Sequence, residues 1–256
     1  MLKRYKSAIW FQKRNVIAAF LTCLILFTQQ AIFYFRLKSG SVVEGRTYDG
    51  LIVYFSVFFV VFSFGMTFRL LLGLGVSRRT AFFSNMTVIL LVCLMFAVFN
   101  SLIFRFILSY YDNPNFRMGI ENRYFSNKIN DITLSIIRHE TSEKGAFGGV
   151  TAEMFAWSFS LLTMFSSMAY AVRIFIYRLS SRGKKLFFAS MAAAVIFISS
   201  CLYLISKKTD AISKAISYLL FDNALRSSVS YTVIAIIMFT TAYFLIRRAP
   251  LKYKEE

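Results

Sequence analysis

Six stretches of this 256-residue chain are each long and apolar enough to cross a bilayer: 15–35, 51–72, 81–104, 152–172, 186–205 and 229–246. A helix needs about 20 apolar residues to traverse the hydrocarbon core. Inside hydrocarbon every backbone N–H and C=O must find a partner within the chain, so each stretch is predicted to be an α-helix. The composition agrees: 57% of residues are hydrophobic and 16% are charged, whereas soluble domains carry about 25% charged residues. No Pro/Gly/Ser-rich linker divides the chain. The expectation is an all-α polytopic membrane protein with one transmembrane domain over 1–256. The first apolar run is too long for a signal peptide and lacks a small-residue cleavage site, so the N-terminus is expected to be retained.

The formal net charge is +18. In a soluble protein that would suggest nucleic acid. Here the basic residues flank apolar runs, which reads as membrane topology, with the lipid bilayer as the partner and no nucleic acid. With the N-terminus inside, the inner segments (1–14, 69–79, 173–185 and 247–256) hold 17 basic residues in 48 positions, with two acids. The outer segments (36–50, 105–153 and 206–226) hold 13 in 85 positions, with ten acids. The positive-inside rule therefore places both termini in the cytoplasm.

The segments between the spans have character of their own. In 1–14, Leu2, Tyr5, Ile9 and Trp10 form an apolar stripe ringed by Lys3, Arg4, Lys6 and Lys13. That pattern predicts a basic amphipathic helix lying on the inner leaflet. The long outer loop, 105–151, opens with helix-breaking Asp112, Asn113 and Pro114 and closes on the glycines of "EKGAFGG". It is expected to form a small cap. The last outer segment carries a stripe of Ile212, Ile216, Leu219 and Leu220, too short to span, and reads as an interfacial or re-entrant helix.

Catalytic signatures are missing. The one histidine, His139, has no HExxH context, and no GxSxG elbow is present. Cys23, Cys93 and Cys201 all sit in apolar runs and read as small fillers. No catalytic residue, metal ligand or cofactor is expected in this chain. The spans lack the carboxylates of an ion relay. Gln29, Gln30 and Asn100 are the main polar residues at depth, and they suit either interhelical hydrogen bonding or the lining of a substrate path.

The segment "GLGVSRRTAFF", residues 73–83, interrupts two greasy runs. Gly73 and Thr80 match the ends of a GxxxxGK[ST] phosphate loop, but Arg78 and Arg79 stand where it needs Gly-Lys, so nucleotide binding is rejected. Gly73 and Gly75 are suited to a sharp turn, Ser77 or Thr80 to a helix cap, and Arg78 and Arg79 to charged contacts with a partner. The second inner loop, "YRLSSRGKKLFFAS", repeats a Ser-Arg, a dibasic pair and Phe-Phe, and offers Arg178, Arg182, Lys184 and Lys185.

With its basic amphipathic N-terminal helix, six spans, the loop Gly75-Val76-Ser77-Arg78-Arg79 after the second span and an amphipathic outer segment before the sixth, the chain resembles the permeases of bacterial type-2 ATP-binding-cassette exporters. The resemblance runs over nearly the whole length. It implies that Gly75 to Phe83, including Val76, Thr80 and Phe82, couple to a separate cytoplasmic ATP-binding subunit, which holds ATP and magnesium. It implies that the segment Leu2–Gln12 supports that loop. It further implies a second permease subunit, identical or related, and alternating access in the plasma membrane of a bacterial cell. The expected cargo is amphiphilic: membrane-active peptides or lipids. The alternative is a non-transporting membrane sensor or scaffold whose outer loop binds a ligand or partner. An intramembrane enzyme is disfavoured by the missing catalytic groups.

The topology is open to direct test. Single cysteines at positions 79 and 128, on a cysteine-free background, should differ in intact cells, with an impermeant thiol label reaching 128 and not 79. Labelling of 79 but not 128 would overturn the orientation.

Overall fold

The structure, a computed structural model, describes Trp10, residues 12–39, 43–45, 49–110, 116–118, 147–179, Gly183 and 224–247. These form five long helices: α1 Lys13–Lys38, α2 Asp49–Gly73, α3 Arg78–Tyr110, α4 Phe147–Arg178 and α5 Ala224–Arg247. Two three-residue strands, β1 (Val43–Gly45) and β2 (Phe116–Met118), pair in parallel with Val43 opposite Phe116 and Gly45 opposite Met118. The helices cover five of the six apolar stretches. The stretch 186–205 and the stripe from Ile212 to Leu220 lie outside the described residues, as does most of the outer loop.

Three of the helices hold segments long and apolar enough to cross a membrane: Arg78–Ile103, Ala152–Arg178 and Ala224–Arg247. A shorter described apolar run, Ile52–Phe62, belongs to α2. Every helix overruns the limits set by hydropathy. Hydropathy marks the part that needs hydrocarbon, whereas a helix continues until a breaker stops it. Thus α3 runs on through Arg105 to Tyr110, the last described residue before the breaking sequence Asp112-Asn113-Pro114. Gly148 and Gly149, expected in the outer loop, instead fall in the first turn of α4.

Helix α4 is the hub. It packs along α5 most extensively and also against α3 and α2, while α1 leans on α3. Its buried positions include Trp157, Leu161, Tyr170 and Ile174, together with Ser158, Ser160, Ser166 and Ser167. Small side chains permit close approach of helices where no hydrophobic effect drives association. Several hydroxyls on α4 are satisfied locally: Ser160 donates to the Trp157 carbonyl (2.9 Å), Thr163 to Phe159 (2.7 Å) and Ser167 to Met164 (2.7 Å). This back-bonding is how Ser and Thr sit in apolar surroundings without an orphan donor.

The outer face of the bundle is as apolar as its centre. Ile17, Leu21 and Ile25 on α1, Tyr54 and Phe58 on α2, and Val229, Ile236 and Phe244 on α5 are all exposed. Apolar surface spread this widely matches a hydrocarbon surround rather than water.

Between α3 and α4, Asn100 Nδ2 donates to Ser158 Oγ at 2.8 Å, with Asn100 only 5% exposed. Two turns toward the start of α3, Cys93 Sγ contacts Ser166 Oγ at 3.4 Å. Hydrogen bonds of this kind between membrane helices contribute about 0.6–2 kcal/mol. A double-mutant cycle with Asn100→Ala and Ser158→Ala, read by unfolding in detergent, should give a coupling of about 1 kcal/mol. Strict additivity would show that this bond holds nothing together.

Candidate functional site

The loop between α2 and α3 is built by its backbone. Val76 N–H donates to the Leu71 carbonyl and Gly75 N–H to the Leu72 carbonyl, both at 3.0 Å. This pair of bonds is the Schellman motif, in which the residue one past the cap takes a left-handed conformation. Gly75 has φ +72°, the one positive φ among the described glycines. Val76 packs onto the core that contains Leu71, supplying the hydrophobic contact that accompanies this motif. Gly73, by contrast, is the last residue of α2 in ordinary helical conformation. The turn uses one of the two glycines.

Helix α3 starts immediately. Ser77 O accepts from Ala81 N–H at 2.9 Å, and Ser77 Oγ accepts from Thr80 N–H at 3.2 Å. Ser77 is therefore the N-cap. The Thr80 hydroxyl, 2.8 Å from Ser77 Oγ, closes the cap on itself. The linker is thus closed by a motif on each side, with little freedom left in it.

Arg78 and Arg79 occupy the first two helical positions, where the positive end of the helix dipole disfavours cations. No acid sits in this first turn. The two arginines resolve this differently. Arg78 reaches across to α5 and donates through a guanidinium nitrogen to the carbonyl of Arg247 at 3.2 Å. That is the C-terminal end of α5, where a cation is favoured. Arg79 is exposed and makes no ion pair or hydrogen bond among the described residues. The phenylalanines that follow also part company. Phe82 is buried and packs on Tyr170 and Tyr243 at ring distances of 5.8 and 5.3 Å. Phe83 is 41% exposed.

A contact invisible in the sequence ties the N-terminal segment to this loop. Gln12 is 2% exposed. Its carbonyl accepts from Asn15 and Val16 at the start of α1. Its side-chain amide donates to Ser84 Oγ at 3.0 Å and to Asn85 Oδ1 at 2.8 Å, in the second turn of α3. Breaking one partner of such a buried network leaves another unsatisfied, at a cost of about 1–3 kcal/mol. Of the predicted segment Leu2–Gln12, only Trp10 and Gln12 are described. Trp10 is exposed and takes Lys13 Nζ over its ring at 3.9 Å.

The other expected site residues do not gather here. Arg178 ends α4 as a helical residue rather than a loop one, because α4 continues past Arg173. Arg182, Lys184 and Lys185 lie outside the described residues. Gln29 is exposed on α1, the side chain of Gln30 lies outside the described residues, and Asn100 is engaged with Ser158. No cluster of three His, Cys, Asp or Glu side chains occurs among the described residues.

The two glycines should respond oppositely to substitution. Nothing lies within 4 Å of a Cβ at either position, so only backbone preference decides. Gly75→Ala should cost about 1–2 kcal/mol for a left-handed L-residue. Gly73→Ala should be neutral or stabilise by up to about 1 kcal/mol, since alanine is the better helix former. Thermal unfolding of both variants in one detergent checks this, and equal effects would contradict the turn geometry.

No family model, curated protein or solved structure matches this chain.

Proposed function

We propose that the chain is the permease subunit of an ATP-driven exporter of the type-2 ATP-binding-cassette kind. It would work in a bacterial plasma membrane with a second permease subunit and a separate cytoplasmic ATPase that binds ATP and magnesium. The observation that carries this reading is Arg79. It is an exposed guanidinium at the start of α3, with no counter-charge among the described residues, held on a short linker that is closed on both sides. Such a group is kept against the helix dipole, and a partner's carboxylates would reverse that penalty.

On this reading the ATPase pushes on the loop and α3 transmits the push. A flexible loop would dissipate the motion; the Schellman turn and the Ser77 cap prevent that. Gln12 brings the N-terminal segment along with α3. The pathway would lie against the apolar, weakly charged helix surfaces, which suits amphiphilic peptides or lipids as cargo. The parallel β1–β2 pair gives some support to a second reading, a membrane sensor or scaffold. It joins the segment after α1 to the long segment after α3, and so could anchor an ordered outer face that holds a ligand. Association with an ATPase separates the two.

The test is whether the chain copurifies with an ATP-binding subunit when the two are co-expressed, candidates being taken from neighbouring reading frames. Arg79→Ala should weaken the complex by about 2–5 kcal/mol, the usual cost of removing one partner from a buried charged pair. It should leave unfolding of the isolated chain unchanged. Arg78→Ala should do the reverse, loosening the end of α5 and lowering stability by about 0.5–1.5 kcal/mol. Normal copurification and normal stimulation of the ATPase by the Arg79 variant would reduce the loop to a turn between two helices.

A further inference from the structure

Between the first turn of α3 and the last turn of α5 lies an open groove of about 490 Å³, lined by Arg78, Arg79, Tyr243, Ile246 and Arg247. Three of its five lining residues are guanidinium-bearing. The acids among the described residues are Glu44, Asp49 and Glu153. Glu44 and Asp49 precede or open α2, and Glu153 lies in the second turn of α4, so all three sit toward the opposite ends of helices that finish near the groove. Apart from the bond from Arg78 to the Arg247 carbonyl, these guanidinium groups have no counter-charge or acceptor among the described residues. Guanidinium groups held around one concavity repel each other until an anion enters.

The groove also has a greasy flank. The Tyr243 ring, which lines it, lies 6.1 Å from the ring of Phe83 and 5.9 Å from that of Phe244. Phe83 and Phe244 are 41% and 59% exposed. The groove lies where two helices apolar enough to cross a membrane begin and end, which is headgroup depth for a chain so placed. A bidentate, planar cation suits phosphate, and exposed aromatic rings beside it suit acyl chains.

We propose that this groove binds the phosphate of an anionic phospholipid, with the chains lying along Phe83, Tyr243 and Phe244. The site needs only a membrane, and does not rest on coupling to an ATPase. Arg79 would serve both roles, whereas Arg247 serves this one alone, so its variant separates the two.

The test titrates phosphatidylglycerol into the purified full-length chain in an uncharged detergent, reading bound lipid by native mass spectrometry. Phosphatidylglycerol should be retained over phosphatidylcholine of the same chains. Retention should fall about fivefold for each arginine removed in Arg79→Gln and Arg247→Gln, matching about 1 kcal/mol per basic residue at an anionic surface. Arg36→Gln with Lys38→Gln, an equal charge loss at the far end of α1, should leave retention unchanged. Lipid-free unfolding of Arg79→Gln should match the parent, which keeps loss of fold apart from loss of site. Equal retention by the parent and the double arginine variant would overturn the proposal. So would inorganic phosphate displacing the lipid at matched concentration, which would make this a free-anion site. Preferential binding of a polyglutamate peptide would overturn it in favour of an acidic protein partner.

Discussion

In hydrocarbon a polar group has no water to fall back on, and the interior of this bundle is arranged around that fact. Backbone groups close within helices, and half a dozen buried serine and threonine hydroxyls bond to a carbonyl three or four residues back. Once satisfied in this way, serine and threonine act as small side chains. That lets α4 lie close to α2, α3 and α5 at once. A hub of leucines would hold its neighbours farther off, and the cross-helix bonds from Asn100 and Cys93 would then be out of reach.

The loop after α2 obeys a different logic. Its backbone is held as tightly as the helices, by two carbonyl bonds and a cap, yet its side chains are left electrostatically unresolved. Two cations at a helix N-terminus work against the dipole. One is settled within the chain, on the last carbonyl of α5. The other faces outward. Among the described residues the loop thus combines a fixed backbone with a guanidinium that has no counter-charge.

The helices were legible in the sequence because a membrane core demands about 20 apolar residues in a row, a signal that needs no knowledge of packing. Their ends were less legible, because hydropathy measures the solvent and not the helix. Within the loop, the need for a left-handed glycine was readable, but not which glycine. Gly73 and Gly75 differ only in whether they fall before or after the cap. The division of labour between Arg78 and Arg79 was hidden, since Arg78 finds its acceptor 169 residues away. The same holds for Gln12, whose partners lie 72 and 73 positions on. Adjacent Phe82 and Phe83 diverge because successive helical residues point about 100° apart, which puts one ring in the core and the other outside.

The β1–β2 pair has a mechanical consequence when set beside the Gln12 contact. β1 follows α1 and β2 follows α3, so their pairing ties the two helices together just past their C-terminal ends. Gln12 ties the same two helices near their N-terminal ends. Sliding α1 along α3 would therefore break the Gln12 bonds, a coupling between two helices that are not consecutive in the chain.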